Sequence, residues 1–260
     1  MKFKNLKIVL LMPLLLVACA ETKQPVGITE SILPTTENSR PAISAHTTGK
    51  AKVTLLYKGH VEAIEGKTFL PWSTHDGARS LSTSVFVIES GGKILVGDTG
   101  EVRKGEWPKI MQKLADMGIR PDDVDYVWID HHHPDHTMHL GAFSNAPVVD
   151  FWSIYTDEIW TDHPDYFEIL PGVTIVRTPG HTKEDSSLLV DTDEGMMLIT
   201  HMWWHNDLTP VIDPVGEDQI SLDKNRKALL SRADLLFPTH GGIMKNPFKN
   251  KEWDGKPYNP

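Results

Sequence analysis

Residues 131–139 hold five of the chain's 13 histidines, His131, His132, His133, His136 and His139, together with the carboxylate of Asp135. Neutral imidazole is the commonest metal ligand. The spacing His-x-His-x-Asp-His lets His131 and His133 face one ion while Asp135 and His136 face a second. Such a donor set suits zinc, with iron and manganese as rivals. The run is internal and follows the apolar segment Tyr126-Val127-Trp128-Ile129. It therefore reads as a strand delivering ligands into a loop, not as a solvated polar stretch.

The other ligands of such a site must come from elsewhere, and three later segments each present a His just after an apolar run. Thr174–Arg177 leads into Gly180-His181, Met196–Thr200 leads into His201, and Leu235–Phe237 leads into His240-Gly241-Gly242. His205 follows His201 by four residues, and Asp207 lies in the same loop.

The elements that would carry these residues alternate. Val53–Leu56, Val85–Ile88 and Ile94–Val96 read as strands, the last two joined by a Gly91-Gly92 hairpin turn. Pro108–Met117 carries apolar residues at Ile110, Met111, Leu114 and Met117, opens with Pro and is followed by Gly118, which predicts a helix. Residues 221–232 give a second amphipathic helix with Ser221 as its N-cap. Periodicity alone assigns an α/β chain. Its 260 residues and 40% hydrophobic content suffice for a substantial core.

Taken together, the landmarks resemble those of the metallo-β-lactamase-fold hydrolase superfamily, over roughly residues 51–245. They run from Asp98 in the strand-end turn Leu95-Val96-Gly97-Asp98-Thr99-Gly100, through the His-x-His-x-Asp-His loop, to Gly180-His181 and finally His240 in its Gly-rich turn. A looser similarity links the stretch around His181 and the compact final segment to the small metallo-β-lactamase domain-containing hydrolases. The resemblance implies a four-layer αββα sandwich over residues 51–260. It also implies one metal site from His131, His133 and His181 and a second from Asp135, His136 and His240. Many members place an Asp after the fourth strand to bridge the two ions, whereas this chain has His201. An imidazole offers one lone pair to one ion, so His201 is expected as a terminal ligand or as a donor behind a ligand, and one ion or two remain open.

The implied chemistry is hydrolysis. Zinc on three protein ligands lowers the pKa of its water to about 7 and polarises a carbonyl. The expected enzyme opens a small β-lactam, lactone, ester or thioester with a metal-bound hydroxide. Asp135 would orient that hydroxide, and Asp98 would hydrogen-bond a ligand His and fix its tautomer. The long connection from Lys58 to Ser82 is expected to act as a lid. Trp72 and His75 from it, with Trp203 or Trp204 and His205 opposite, would line the substrate pocket. Two alternatives stay open: a mononuclear iron oxygenase of the persulfide dioxygenase type, and a non-catalytic metal-binding lipoprotein.

Location is written at the N-terminus. Lys2, Lys4 and Lys7 precede an apolar core from Ile8 to Val17, too short for the ~20 residues that span a bilayer. The core ends in Leu16-Val17-Ala18-Cys19, which resembles a bacterial lipoprotein signal. Residues 1–18 are thus expected to be a signal peptide. Cys19 would be the lipid anchor of an exported, membrane-attached protein, on the periplasmic side in a Gram-negative cell. Residues 19–50, poor in large apolar side chains, read as a flexible tether. Cys19 is the single cysteine, so there is no intrachain disulfide and no thiolate ligand. The formal charge of -9 becomes -12 when the three lysines leave with the signal. With no basic stripe, this excludes nucleic acid as a partner and favours a small-molecule substrate.

Overall fold

The computed structural model describes residues 50–62 and 80–259. The expected leader, Cys19, nearly all of the tether, Trp72 and His75 lie outside the described residues.

In chain order the first strands are β1 (Lys52–Tyr57), β2 (His60–Glu62), β3 (Ser80–Ser82), β4 (Val85–Ser90), β5 (Lys93–Gly97), β6 (Tyr126–Trp128), β7 (Val148–Val149), β8 (Ser153–Thr156) and β9 (Ile159–Asp162). The second half contributes β10 (Phe167–Leu170), β11 (Val173–Arg177), β12 (Ser186–Thr192), β13 (Gly195–Thr200), β14 (Leu235–Pro238) and β15 (Met244–Lys245). One seven-stranded sheet runs β1-β4-β5-β6-β7-β8-β9, a six-stranded sheet runs β10 to β15, and β2 and β3 form a separate ribbon. The expected hairpin joins β4 to β5, with Ser90 opposite Lys93 and both turn glycines at positive φ. That is the geometry a two-residue turn between twisted strands requires.

The apolar runs explain the layering. Side chains alternate along a strand, so a strand covered on both faces must be apolar at nearly every position. Phe86, Ile88, Leu95 and Trp128 of the first sheet meet Ile175, Leu188, Val190, Ile199 and Phe237 of the second. Their neighbours Val85, Val87, Ile94, Val96 and Val127 face outward onto α1 (Trp107–Asp116) through Ile110 and Leu114. On the far side Val176, Leu189, Leu198 and Leu236 meet Leu222 and Leu229 of the helix Gln219–Leu229. The result is the αββα sandwich that the resemblance implied. Burying a side chain the size of Leu114 contributes roughly 1.5–3 kcal/mol.

Two local expectations need correction. The helix expected over 221–232 starts at Gln219 and gives way to a 3-10 turn at Leu230–Arg232. Its N-cap is Asp218, whose carboxylate accepts from the backbone N–H groups of Ile220 and Ser221 at 3.0 and 3.1 Å, so Ser221 lies inside the first turn. No helix among the described residues is long and apolar enough to cross a membrane.

The topology gathers the ligand-bearing loops. β5 and β6 are parallel, so Asp98 and the His131 loop emerge on one rim. β13 and β14 are also parallel, which brings His201 and His240 out together. Backbone bonds join the rims of the two sheets: Ser84 N–H donates to the Thr239 carbonyl at 2.6 Å and Ser186 N–H to the Asp130 carbonyl at 2.8 Å. Gly100 lets the loops approach this closely, since a Cβ there would meet the Asp135 backbone oxygen at 2.0 Å.

Candidate metal centre

His133 sits in extended backbone just before the short helix α2 (Pro134–Thr137), and the gathering of α3, Gln219–Leu229, behind His181 closes the other side. Pro134 is tolerated in the first turn of α2, where its missing N–H leaves no bond unmade. That turn carries Asp135 and His136.

The ring nitrogens of three residues converge. His131 Nε2 and His181 Nε2 lie 2.9 and 3.1 Å from His133 Nδ1. Four-coordinate zinc with nitrogens at 2.0–2.1 Å has N···N edges of ~3.3 Å, close to this spacing. One proton on His133 Nδ1 cannot serve both neighbours, so an ion satisfies this trio better than hydrogen bonds do. Nearby, Asp135 Oδ2 lies 3.3 Å from His136 Nε2 and 3.5 Å from His240 Nε2. His136 Nε2 is fully buried without a hydrogen-bond partner, an unsatisfied nitrogen beside the Asp135 carboxylate that a second cation would satisfy. Both groups meet the geometric requirement for ligating one ion, as does an overlapping buried set of Asp130, His131, His136 and His201 that shares a histidine with each. The residues present fit a divalent metal.

The opposite ring nitrogens are held. His181 Nδ1 meets Asp213 Oδ2 at 2.8 Å, His240 Nδ1 meets the Ser82 carbonyl at 2.7 Å, and His136 Nδ1 meets Asp98 Oδ2 at 3.2 Å. Such partners fix the tautomer and turn the other nitrogen toward the ion. Asp98 is wholly buried and has φ of 45°, in the left-handed region that Asp and Asn enter more readily than other non-glycine residues.

The charges around these histidines are unbalanced in a way that calls for cations. Burial beside Asp130 pushes the Asp98 carboxyl up to about 7. Burial alone would lower the His136 imidazole, but Asp130, Asp135 and Asp98 raise it well above its ordinary value. Burial likewise opposes, and Asp213 overcomes, the rise at His181. Burial and the neighbouring His136 lower His131 well below its usual value and His240 to about 4. Ligand imidazoles must be deprotonated to bind metal. Raised above their ordinary values, His136 and His181 hold their protons more tightly, and a metal must displace those protons, so affinity is expected to rise with pH. Calorimetric titration at pH 7 in two buffers of different ionisation enthalpy is expected to show proton release on loading. Identical heats in the two buffers would contradict it.

The structure also separates site residues from bystanders. His132 is half exposed and paired with Asp150 at 3.0 Å, and His139 stacks on Trp107 with ring centroids 4.1 Å apart. His201 is buried between the two groups, its ring centroid 4.3 Å from His181 and 5.0 Å from His240, with Nδ1 2.9 Å from Thr239 Oγ1. Asp207 does not reach in, because its carboxylate accepts from the N–H and hydroxyl of Thr209. His205 lies beside the centre, with His60 and Glu62. Trp203, expected as a pocket wall, is instead fully buried in the layer under α3, edge-on to Trp253 and beneath the Arg226 guanidinium. Its neighbour Trp204 takes the wall position, with Val61, Leu81 and Val215, around a cleft of about 240 Å³ floored by the residues of the two candidate ligand groups.

Sequence reasoning missed Asp130 and Asp213. Asp130 adjoins the histidine run, which was a usable signal. Asp213 is 32 residues from His181 and has no local one.

A family model described as the metallo-beta-lactamase superfamily matches residues 78–239. The chain is 30% identical over 213 residues to metallo-beta-lactamase domain-containing protein 1 of Xenopus laevis, covering 77% of this chain and 84% of that protein. Over 111 residues it is 32% identical to an N-acyl homoserine lactonase of Bacillus cereus, spanning 36% of this chain and 44% of the lactonase. A metallo-beta-lactamase structure from Thermotoga maritima superposes with a TM-score of 0.55 at 20% identity, over 75% of this chain and 99% of that one. An N-acyl homoserine lactone hydrolase with N-hexanoyl-L-homoserine bound at its catalytic metal centre gives 0.51 at 19% identity, over 69% and 86%. These two likenesses concern the fold.

Proposed function

The chain belongs to the metallo-beta-lactamase superfamily, and from that premise we propose a zinc-dependent hydrolase that opens a small lactone, with β-lactams, esters and thioesters as competing substrates. The observation that carries the reading is the pair of ligand groups, His131, His133 and His181 beside Asp135, His136 and His240, on the floor of a small cleft with apolar walls. At about 240 Å³ the cleft lies just below the roughly 300–1,000 Å³ of typical ligand pockets and has room for only a small reacting group. The lactone is favoured because a lactonase is among the relatives. The presence of the second ligand group supports a binuclear centre over the single-iron alternative.

Zinc, when bound, supplies an activated water and a Lewis acid for the carbonyl. The chain's residues do the rest. Burial would raise the Asp135 carboxyl, but His136 and His240 hold it well below the usual carboxylate range, so it stays ionised at neutral pH. An ionised Asp135 accepts a hydrogen bond from the attacking water and so orients it. Trp204, Val61, Leu81 and Val215 exclude bulk water and receive the apolar part of the substrate.

Zinc-loaded protein screened against N-acyl homoserine lactones, simple lactones, β-lactams, esters and thioesters is expected to turn over a lactone, with the activity lost to a chelator. Loaded protein that hydrolyses none of the panel would refute the reading. Trp204→Ala is expected to raise KM for long-acyl lactones about ten-fold, the equivalent of ~1.4 kcal/mol of apolar contact, with kcat within a few-fold. An unchanged KM across acyl lengths would remove Trp204 from the binding wall.

Export and lipid anchoring complete the proposal and rest on the composition of residues 1–50. Labelled palmitate incorporated in cells by the wild type and not by Cys19→Ala supports the anchor. Equal labelling of the two would discard it.

A further inference from the structure

We infer that Asp130 is a positioning residue shared by both metal-ligand groups, so that one buried carboxylate sets the occupancy of two ions. This rests on the reading of the two groups as metal sites and adds a coupling between them.

Asp130 is fully buried. Its Oδ1 lies in ion-pair range of one ligand from each group, 2.9 Å from Nδ1 of His131, which has no hydrogen-bond partner, and 2.7 Å from Nδ1 of His136, whose hydrogen bond goes to Asp98. The other carboxylates behind the centre serve one ligand each: Asp213 meets His181, and Asp98 meets His136. Asp130 is also rigidly held. Its Oδ1 accepts from the His131 backbone N–H at 2.8 Å, its own N–H donates to Asp98 Oδ1 at 3.2 Å, and its carbonyl accepts from Ser186 across the seam between the sheets.

Two features make this more than packing. The Oδ2 atom of Asp130 is buried without a hydrogen-bond partner and lies 3.7 Å from His201 Nδ1. An unpartnered carboxylate oxygen is costly in the interior unless positive charge stands nearby. The second feature is charge. Among the six ligands Asp135 alone is anionic, so two divalent ions held by them lack neutralisation, and Asp130 is the carboxylate in contact with both groups. An anion at Nδ1 keeps the proton there and leaves Nε2 of His131 and of His136 for the ions.

The test counts ions and measures how tightly they bind, independent of turnover. Wild type, Asp130→Asn, Asp130→Ser and Asp213→Asn are stripped with chelator and titrated with Zn(II) against a competing chromophoric chelator. Ions per chain are then counted by elemental analysis, and the fold of the stripped proteins is followed by circular dichroism. Asp130→Asn is expected to weaken both ions at least ten-fold, in the range seen when such outer partners are lost. Asp213→Asn is expected to weaken one. Asp130→Ser removes the same charge with a smaller polar side chain and is expected to weaken both ions as Asp130→Asn does.

Two ions bound by Asp130→Asn with wild-type affinity, or one weakened as in Asp213→Asn, would overturn the inference while leaving the metal reading intact. Wild type that takes up no zinc overturns both. Should Asp130→Asn not fold, Asp130→Ser decides. Both ions weakened in folded protein support the shared carboxylate, and wild-type affinity at either ion rejects it.

Discussion

His133→Ala reduces hydrolysis to the level of chelator-treated protein, a loss on the order of 10³-fold or more, because the trio loses the nitrogen that the other two face. The substitution is well suited to the purpose. His133 lies at the exposed mouth of the centre and holds no buried contact of the core, so the variant keeps its fold. Zinc content is expected to fall by about one ion per chain while the melting temperature of the metal-free protein stays at the wild-type value. Full activity in His133→Ala would detach the trio from catalysis and reassign the floor of the cleft.

Asp135→Asn gives the second large effect, with a different signature. The side chain keeps its shape and loses the charge that His136 and His240 stabilise. kcat/KM is expected to fall by about 10²–10⁴-fold, the range for a residue that orients and accepts a proton in the transition state. The trio of His131, His133 and His181 does not include this carboxylate, so its ion is retained, while the group of Asp135, His136 and His240 loses its one anionic member and is expected to bind its ion more weakly. Rates compared at saturating zinc then read the loss of the group that directs the water. A variant that keeps both its metal content and the wild-type rate would leave Asp135 a structural residue.

Much of this candidate centre was legible in the sequence because His131, His181, His201 and His240 each follow a strand end within a few residues. An apolar run with a His shortly after it, as at Leu235–Phe237 before His240, marks both the strand and the rim to which it delivers. The sandwich was legible for a related reason: runs such as Val85-Phe86-Val87-Ile88 are apolar at every position, which only a strand covered on both faces requires.

Other features were hidden because they are tertiary. Whether Trp203 or Trp204 faces the cleft depends on an irregular turn after β13, where no two-residue alternation applies. Asp213 meets His181 only because the chain before α3 folds back over the Gly180 turn, a contact fixed by Gly216, Glu217 and Asp218 rather than by any local pattern. The N-cap at Asp218 was missed because Ser221, three residues on, is an equally good capping type. Sequence spacing says which residues can cap a helix. The turn geometry selects one.

The apolar walls of the cleft come from Val61 on β2, Leu81 on β3, Trp204 after β13 and Val215 before α3, and none of these four is a ligand. Reactivity and selectivity are thus inherited on separate residues. A lineage carrying this centre can exchange one substrate for another by drift at those four positions, one at a time, with every intermediate still able to activate water. The same separation makes the wall residues the natural targets for redirecting the enzyme in the laboratory, because libraries built there leave the ion-holding scaffold untouched.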